Sequence, residues 1–331
     1  MQVNGQLSFS DAEIASKKKI TRRERFLGQL EQILPWHTLI GLIEPHYPKS
    51  GRRGQQPLEL TSMLRIHIAQ IAYNYSDPGM EDALYEISAL RQFCRVELDR
   101  IPDESAILRF RHLLETHNLA SAMFAAINQQ LGARGLFLKQ GTIVDASLIA
   151  APTSTKNAKG ERDPEMHQSK KGNEWHFGAK VHIGVDDQTG LTHSLTLTAG
   201  NVADVTEASK LLCGEEKALI GDAGYQGLEK RAEMQGSHVK TCMTAMRPGR
   251  LKKLTAQGGE LAEQLCAIER ELARRRAKVE HVFRDMKVRF GYAKVRYRGL
   301  AKNLSRFMCL AGLSNALRGE SYLRRKGLVA S

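Results

Sequence analysis

From Phe26 to about Leu131 apolar residues recur at intervals of three and four, the spacing of a helix with one covered face. Leu60, Leu64, Ile68, Ile71 and Tyr75 form one stripe, and Ile107, Phe110 and Leu114 form another. Turn signals part these helices: Pro35, Pro45 and Pro48 with Gly51 and Gly54, then Asp77-Pro78-Gly79 and Ile101-Pro102-Asp103, where Asp103 is placed to cap the helix that follows. After about residue 135 the period changes. Short β-branched runs at 141–149, 178–185, 191–198, 217–221 and 237–245 predict strands, and the polar stretch 151–175 predicts a mobile loop. Helical spacing returns at Leu261, Leu265, Ile268, Leu272, Val279, Phe283, Met286 and Phe290, and Gly291 predicts the stop. No internal repeat interrupts this order. The expectation is an α+β chain in two parts: a helical domain over residues 1–135, then a catalytic domain over 136–331 in which helices flank a mixed sheet.

Charge sharpens the second part. The 331 residues suffice for a sizeable core, and the formal net charge of +13 points to a polyanionic partner. Residues 240–331 carry 22 Lys and Arg against 7 Asp and Glu, so the excess is local, as in a nucleic-acid binder rather than an evenly solvated surface. Cys94, Cys213, Cys242, Cys266 and Cys309 are far apart, odd in number and free of CxxC spacing, which argues against a disulfide framework or a zinc site and fits a reducing cytoplasm. No apolar stretch approaches a membrane span, and MQVNGQLSFSDAE lacks the basic-then-apolar order of a signal peptide.

Three carboxylates bring in chemistry. GTIVDASLI (141–149) and LIGDAGY (219–225) each place an Asp after a buried β-branched run, where an unpaired carboxylate must shift its pKa, find a partner or hold a cation. Taken singly, Asp145 and Asp222 read as turn residues. In the late helix Arg276 interrupts the apolar stripe, and at 100° per residue Glu280 and Lys287 fall on the same border. Asp145, Asp222 and Glu280 brought together would repel one another unless divalent cations lay between them, and oxygen ligands suit Mg²⁺ or Mn²⁺ rather than zinc. Trp175, beside His176 and Lys180, offers a face for a base or sugar, a role weighed against that of an ordinary core residue. His176, His182 and His193 lie on two strands without zinc-like spacing and read as structural. Arg289, Lys294, Arg296, Arg298, Lys302 and Arg306 suit either a solvated face or an arm that grips phosphates, and Lys17 to Lys19 with Arg22 and Arg23 offer a further contact.

The order Asp145, Asp222, Glu280 on a first strand, a fourth strand and a late helix resembles the DDE transposases with an RNase H-like core. LARRRAKVEHVFRDMK followed by RYRGLAKN gives Arg276-x3-Glu280-x6-Lys287, similar to the C-terminal signature of bacterial insertion-sequence transposases of family five. DESAILRFRHLLE (103–115) resembles the conserved stretch of their helical domain, and EWHFGAKVH (174–182) resembles the strand after the first Asp. One departure is Ala273, where the signature usually has Tyr. The resemblance implies that Asp145, Asp222 and Glu280 are catalytic and hold two Mg²⁺ (or Mn²⁺) ions, about 3.5 to 4 Å apart as in two-metal sites. DNA contacts are expected from Arg276 and Lys287 of that signature and, on the residue pattern, from Lys180, Trp175, Arg296 and Arg298. The partners would be double-stranded DNA, as terminal inverted repeats and target, in a homodimer or larger synaptic complex in the bacterial cytoplasm at the nucleoid. Cleavage and strand transfer by transesterification need no ATP, and no GxxxxGK[ST] loop is present. Glu280 follows Asp222 by 58 positions, which leaves no room for a long hairpin-stabilising insertion. Two alternatives remain at this stage: an RNase H-like metal-dependent nuclease without strand transfer, and a non-catalytic DNA-binding regulator, which leaves the carboxylates without a purpose.

Overall fold

The computed structural model describes residues 19–49, 51, 56–137, 140–156, 158 and 160–328; Lys17, Lys18 and the N-terminal stretch read for a signal peptide lie outside them. The helical part comprises α1 (Arg22–Ile33), α2 (Trp36–Ile43), α3 (Leu60–Tyr73), α4 (Asp77–Glu86), α5 (Ser88–Cys94), α6 (Glu104–Thr116) and α7 (Leu119–Ala133). Its starts are written locally. Thr21 and Glu24 form a reciprocal capping box on α1, and the Asp103 carboxylate accepts from Ala106 N at 2.7 Å on α6, as its position implied.

Helix α3 is buried on nearly every side, from Met63 through Ala72, so polar residues within it need partners. Arg65, 2 % exposed, forms a bidentate pair with Glu31 on α1 and lies over the Trp36 ring at 4.1 Å. Hydrogen bonds from Arg65 hold the Glu31 carboxyl below its usual range. The pair therefore adds stability that is present above the unfolded Glu pKa and is lost as pH falls through the lower folded value. Glu31→Ala is expected to cost about 3 kcal/mol in denaturant unfolding, since it strands a buried guanidinium; a change within error would mean that Trp36 alone suffices.

The sheet contains β1 (Gly141–Ala150), β2 (His167–Lys171), β3 (Glu174–Asp186), β4 (Thr192–Ala199), β5 (Ala218–Gly221) and β6 (Thr241–Thr244). β1 pairs antiparallel with β3, which pairs antiparallel with β4; on its other side β1 pairs parallel with β5, and β5 with β6. This order, β4-β3-β1-β5-β6, with three antiparallel strands followed by two parallel ones, is the RNase H-like arrangement. The stretch expected to be a mobile loop contains β2, which pairs with the first residues of a β3 longer than its β-branched run. The extra length, HQSKK on β2 against EWHF on β3, has no β-branched residue to mark it as strand. Gly178, within EWHFGAKVH, is required by close approach: a Cβ there would run into the Ile149 carbonyl of β1.

After β4 and β6 come α8 (Asp204–Glu207), α9 (Pro248–Gln257), α10 (Glu260–Arg284), one π-helical stretch over Asp285–Arg289, and α11 (Leu300–Arg325). From Leu272 onward the apolar stripe of α10 is buried over the sheet. Its first half departs from expectation: Leu261 and Ile268 are 69 % and 56 % exposed. One apolar core runs through both parts of the chain, joining Leu30, Ile68 and Phe124 of the helices to Leu310 and Leu313 of α11 and to Ile183 and Leu195 of the sheet. A smaller cluster of Val144, Leu219, Tyr225 and Leu228 covers the other face.

Candidate active site

β1 and β5 run side by side only as far as Ile143 and Ile220. Asp145 and Asp222 each lie two residues beyond that last pair, at the same level, where the parallel strands part and open a crevice. Asp145 is the fifth residue of the ten-residue β1, not its end as the β-branched run suggested, because β3 goes on pairing with β1 as far as Ala150. Strand alternation puts Ile143, Asp145, Ser147 and Ile149 on one face, where Ile143 and Ile149 pack in the same core as Leu272 and Val279 of α10.

LIGDAGY is built to turn sharply. A Cβ on Gly221 would collide with the Tyr225 ring, and the Asp222 carboxylate accepts from Gly224 N at 2.8 Å, which caps a 3₁₀ turn over Ala223–Tyr225. The turn buries Tyr225 beneath the cleft and holds Asp222 at its mouth.

A cleft of about 340 Å³ brings together Asp145, Asp222, Arg276 and Glu280 with Ser147, Ser169, Lys170, Lys180, Asp204 and Phe283. Burial pushes the Asp145 carboxyl up to about 6; Asp222 and Glu280 push the same way, against a hydrogen bond from Ala146 N and the charge of Arg276. Arg276 lines this cleft, and its Nε is buried without a hydrogen-bond partner. With Asp222 and Glu280 both opposing the ionisation of Asp145, a cleft that offers carboxylate oxygens fits divalent hard cations.

The other expected site residues are placed unevenly. Lys287 donates to Ser147 Oγ at 2.6 Å and to the Leu148 carbonyl at 2.9 Å, so it ties the π-helical stretch after α10 to β1. Lys180 lines the cleft and pairs with Asp204 at 2.9 Å. Trp175, opposite Lys170 in the β2–β3 ribbon, is 66 % exposed, so the ordinary core reading does not hold. Arg296 and Arg298 are exposed but donate to the backbone carbonyls of Asn74 and Arg162, and Arg306 is buried against Tyr292 and Tyr297. Asp204 went unnoticed in the sequence. It follows a Gly200-Asn201 turn and reads there as a helix cap; only the pairing of β3 with β4, Lys180 opposite Thr198, brings it to the cleft.

Among the described residues, the one group of three His, Cys, Asp or Glu whose ligand atoms all lie within 4.8 Å of one another is not in this cleft: it is His193, Cys213 and Glu216. Cysteine and histidine meet here without any sequence spacing to announce them. The buried Glu216 carboxylate already accepts from Thr142 Oγ1, from Cys213 N and Sγ and from Gly214 N, and these bonds outweigh burial and hold it at about 2. It acts as a hydrogen-bonded clamp between the start of β1 and the loop before β5.

The chain matches two family models: one described as a transposase domain over residues 15–113, and one described as a transposase DDE domain over residues 136–316. It is also similar, at 11 % identity and a TM-score of 0.45, to the piggyBac transposase solved by cryo-EM in a synaptic complex with hairpin DNA, across 94 % of this chain and 77 % of that one, a likeness too distant to bear on mechanism. Among the described residues no helix is long and apolar enough to cross a membrane. With the DDE model spanning more than half of the chain, and with Asp145, Asp222 and Glu280 gathered in one cleft of an RNase H-like sheet, the chain belongs to the DDE transposase family and is a transposase.

Proposed function

We propose that this transposase, of insertion-sequence family five, binds the terminal inverted repeats of its element and carries out cleavage and strand transfer at the cleft of Asp145, Asp222 and Glu280. The observation that carries this reading is the gathering of those three carboxylates, from two strands and a helix, beside the unpartnered Arg276 Nε. The carboxylates would hold two Mg²⁺ or Mn²⁺ ions, which when bound activate the attacking oxygen and stabilise the departing one. The protein supplies the rest. The rigid sheet and the packed half of α10 keep the carboxylates in register. Arg276 meets a phosphate oxygen or orients a carboxylate, and Trp175 on its exposed ribbon stacks on a base of the bound strand. Lys287 shapes the site from within by holding β1. The working form is a homodimer or larger assembly on DNA in the bacterial cytoplasm.

The test is a labelled duplex taken from the DNA flanking the gene, incubated with Mg²⁺ and a target plasmid. Nicking at the element end followed by joining to the plasmid is expected; nicking without joining would identify a nuclease. Binding should also weaken at least about tenfold between low and physiological salt, because the basic residues after 240 would displace counterions from phosphates. A flat salt dependence would remove that segment from the DNA interface.

A further inference from the structure

Lys180 and Asp204 form a charged pair at the cleft that metal ligation does not account for. The Lys180 ammonium donates to Asp204 Oδ1 and to the Val202 carbonyl, each at 2.9 Å, and both side chains line the cleft that holds Asp145, Asp222 and Glu280. The Lys180 side chain is 17 % exposed, and that of Asp204 32 %. His182, fully buried, walls in the pair from β3: its Nδ1 lies 4.0 Å from Asp204 Oδ1 and has no hydrogen-bond partner, while its Nε2 meets Thr198 Oγ1 at 2.8 Å.

An ammonium has three donors, and two are taken within the protein. A lysine on its flexible four-carbon stem, next to three carboxylates, would be drawn among them and would compete with the cations they hold. Asp204, at the start of α8 and 2.9 Å from Lys180 Nζ, supplies a nearer anion.

We propose that Asp204 is a positioning residue: it holds Lys180 Nζ at the edge of the carboxylate cleft, clear of the metal ligands, with one N–H left for a non-bridging phosphate oxygen of the bound DNA strand. This inference rests on the proposed cleavage reaction for its setting, but the pairing and its effect on phosphate binding can be read without it.

The experiment compares Asp204→Asn, Lys180→Met, Lys180→Arg and the Asp204→Asn/Lys180→Met double variant with the full-length wild type, after thermal unfolding confirms that each folds. Two readouts are taken on a labelled duplex from the DNA flanking the gene: the Mg²⁺ dependence of cleavage and the salt dependence of binding. Asp204→Asn is expected to slow cleavage about tenfold and to raise the Mg²⁺ needed for half-maximal rate, because the released ammonium competes for the carboxylates. The double variant should be no slower than Lys180→Met alone, since Asp204 acts through Lys180. Lys180→Met should lower the salt slope of binding by about one, and Lys180→Arg should restore it. Wild-type rate and Mg²⁺ requirement in Asp204→Asn, or single losses that multiply in the double variant, would overturn the proposal. If the wild type binds but does not cleave, the proposed reaction fails, and the pair is judged on the salt slope: a drop of about one upholds the Lys180 phosphate contact and an unchanged slope overturns it.

Discussion

Ala at Asp145, Asp222 or Glu280 is expected to abolish Mg²⁺-dependent cleavage of an element end, a loss of at least about a thousandfold, or ~4 kcal/mol of barrier, in each case. Each carboxylate comes from a different element, so none can be replaced by a neighbour: Asp145 from the middle of β1, Asp222 from the capped turn after β5, Glu280 from α10. Duplex binding should survive and even tighten, because a negative charge near the phosphates is removed. Stability supplies an independent readout. The raised folded pKa of Asp145 means that its carboxyl favours the folded state fully below the unfolded value near 3.8, and that this contribution is lost as pH rises through about 6. At neutral pH the metal-free protein therefore bears an ionised, crowded Asp145. Asp145→Asn should raise its thermal stability without metal, by up to about 3 kcal/mol, while eliminating cleavage. Wild-type-like cleavage by Glu280→Ala would place the third ligand elsewhere, and unchanged metal-free stability in Asp145→Asn would mean that burial and the neighbouring carboxylates do not disfavour the Asp145 anion.

How much of this was legible follows the range of the forces involved. Asp103 as a cap and Gly291 as a stop could be read because each acts within a few residues. Asp145 and Asp222 stood out because a carboxylate after a β-branched run conflicts with its surroundings, and functional sites are where such conflicts collect. Two kinds of feature escaped. The ribbon of β2 with the start of β3 carries no β-branched run, and its Trp175 projects to solvent, so periodicity alone points there to a loop and a core tryptophan. The destinations of charged side chains escaped as well. Lys287 turned inward to β1, Arg306 was buried beneath aromatic rings, and Asp204 reached Lys180, because periodicity gives the face a residue occupies but not the element that will pack against it. The stripe of α10 shows the same limit: Leu261 and Ile268 repeat correctly, yet the sheet ends before it reaches them.

Removing residues 1–135 is expected to leave a fragment that fails to fold, despite the change in sequence pattern at that boundary. α11 closes the catalytic sheet, but Phe307, Leu310, Leu313 and Leu317 belong to the same buried core as α3 and α7 as well as the strands. Gly312 and Gly319 bring it close to α7: a Cβ on Gly319 would lie 2.7 Å from Leu131, and one on Gly312 3.0 Å from Ile127. Polar ties cross the same boundary. Asn74 at the end of α3 accepts from Arg306 at 2.9 Å and donates to the Gly291 carbonyl at 2.9 Å, and Asn128 donates to the Thr192 carbonyl at 3.0 Å. Exposing four large apolar side chains costs at least about 1.5 kcal/mol each, which together matches the net stability of a typical domain. The measurement is to express residues 136–331 alone and follow thermal unfolding by circular dichroism beside the full chain. An insoluble fragment, or one without a cooperative transition, is expected; a monodisperse fragment that unfolds cooperatively and binds Mg²⁺ would show that the catalytic sheet closes its core without the N-terminal helices.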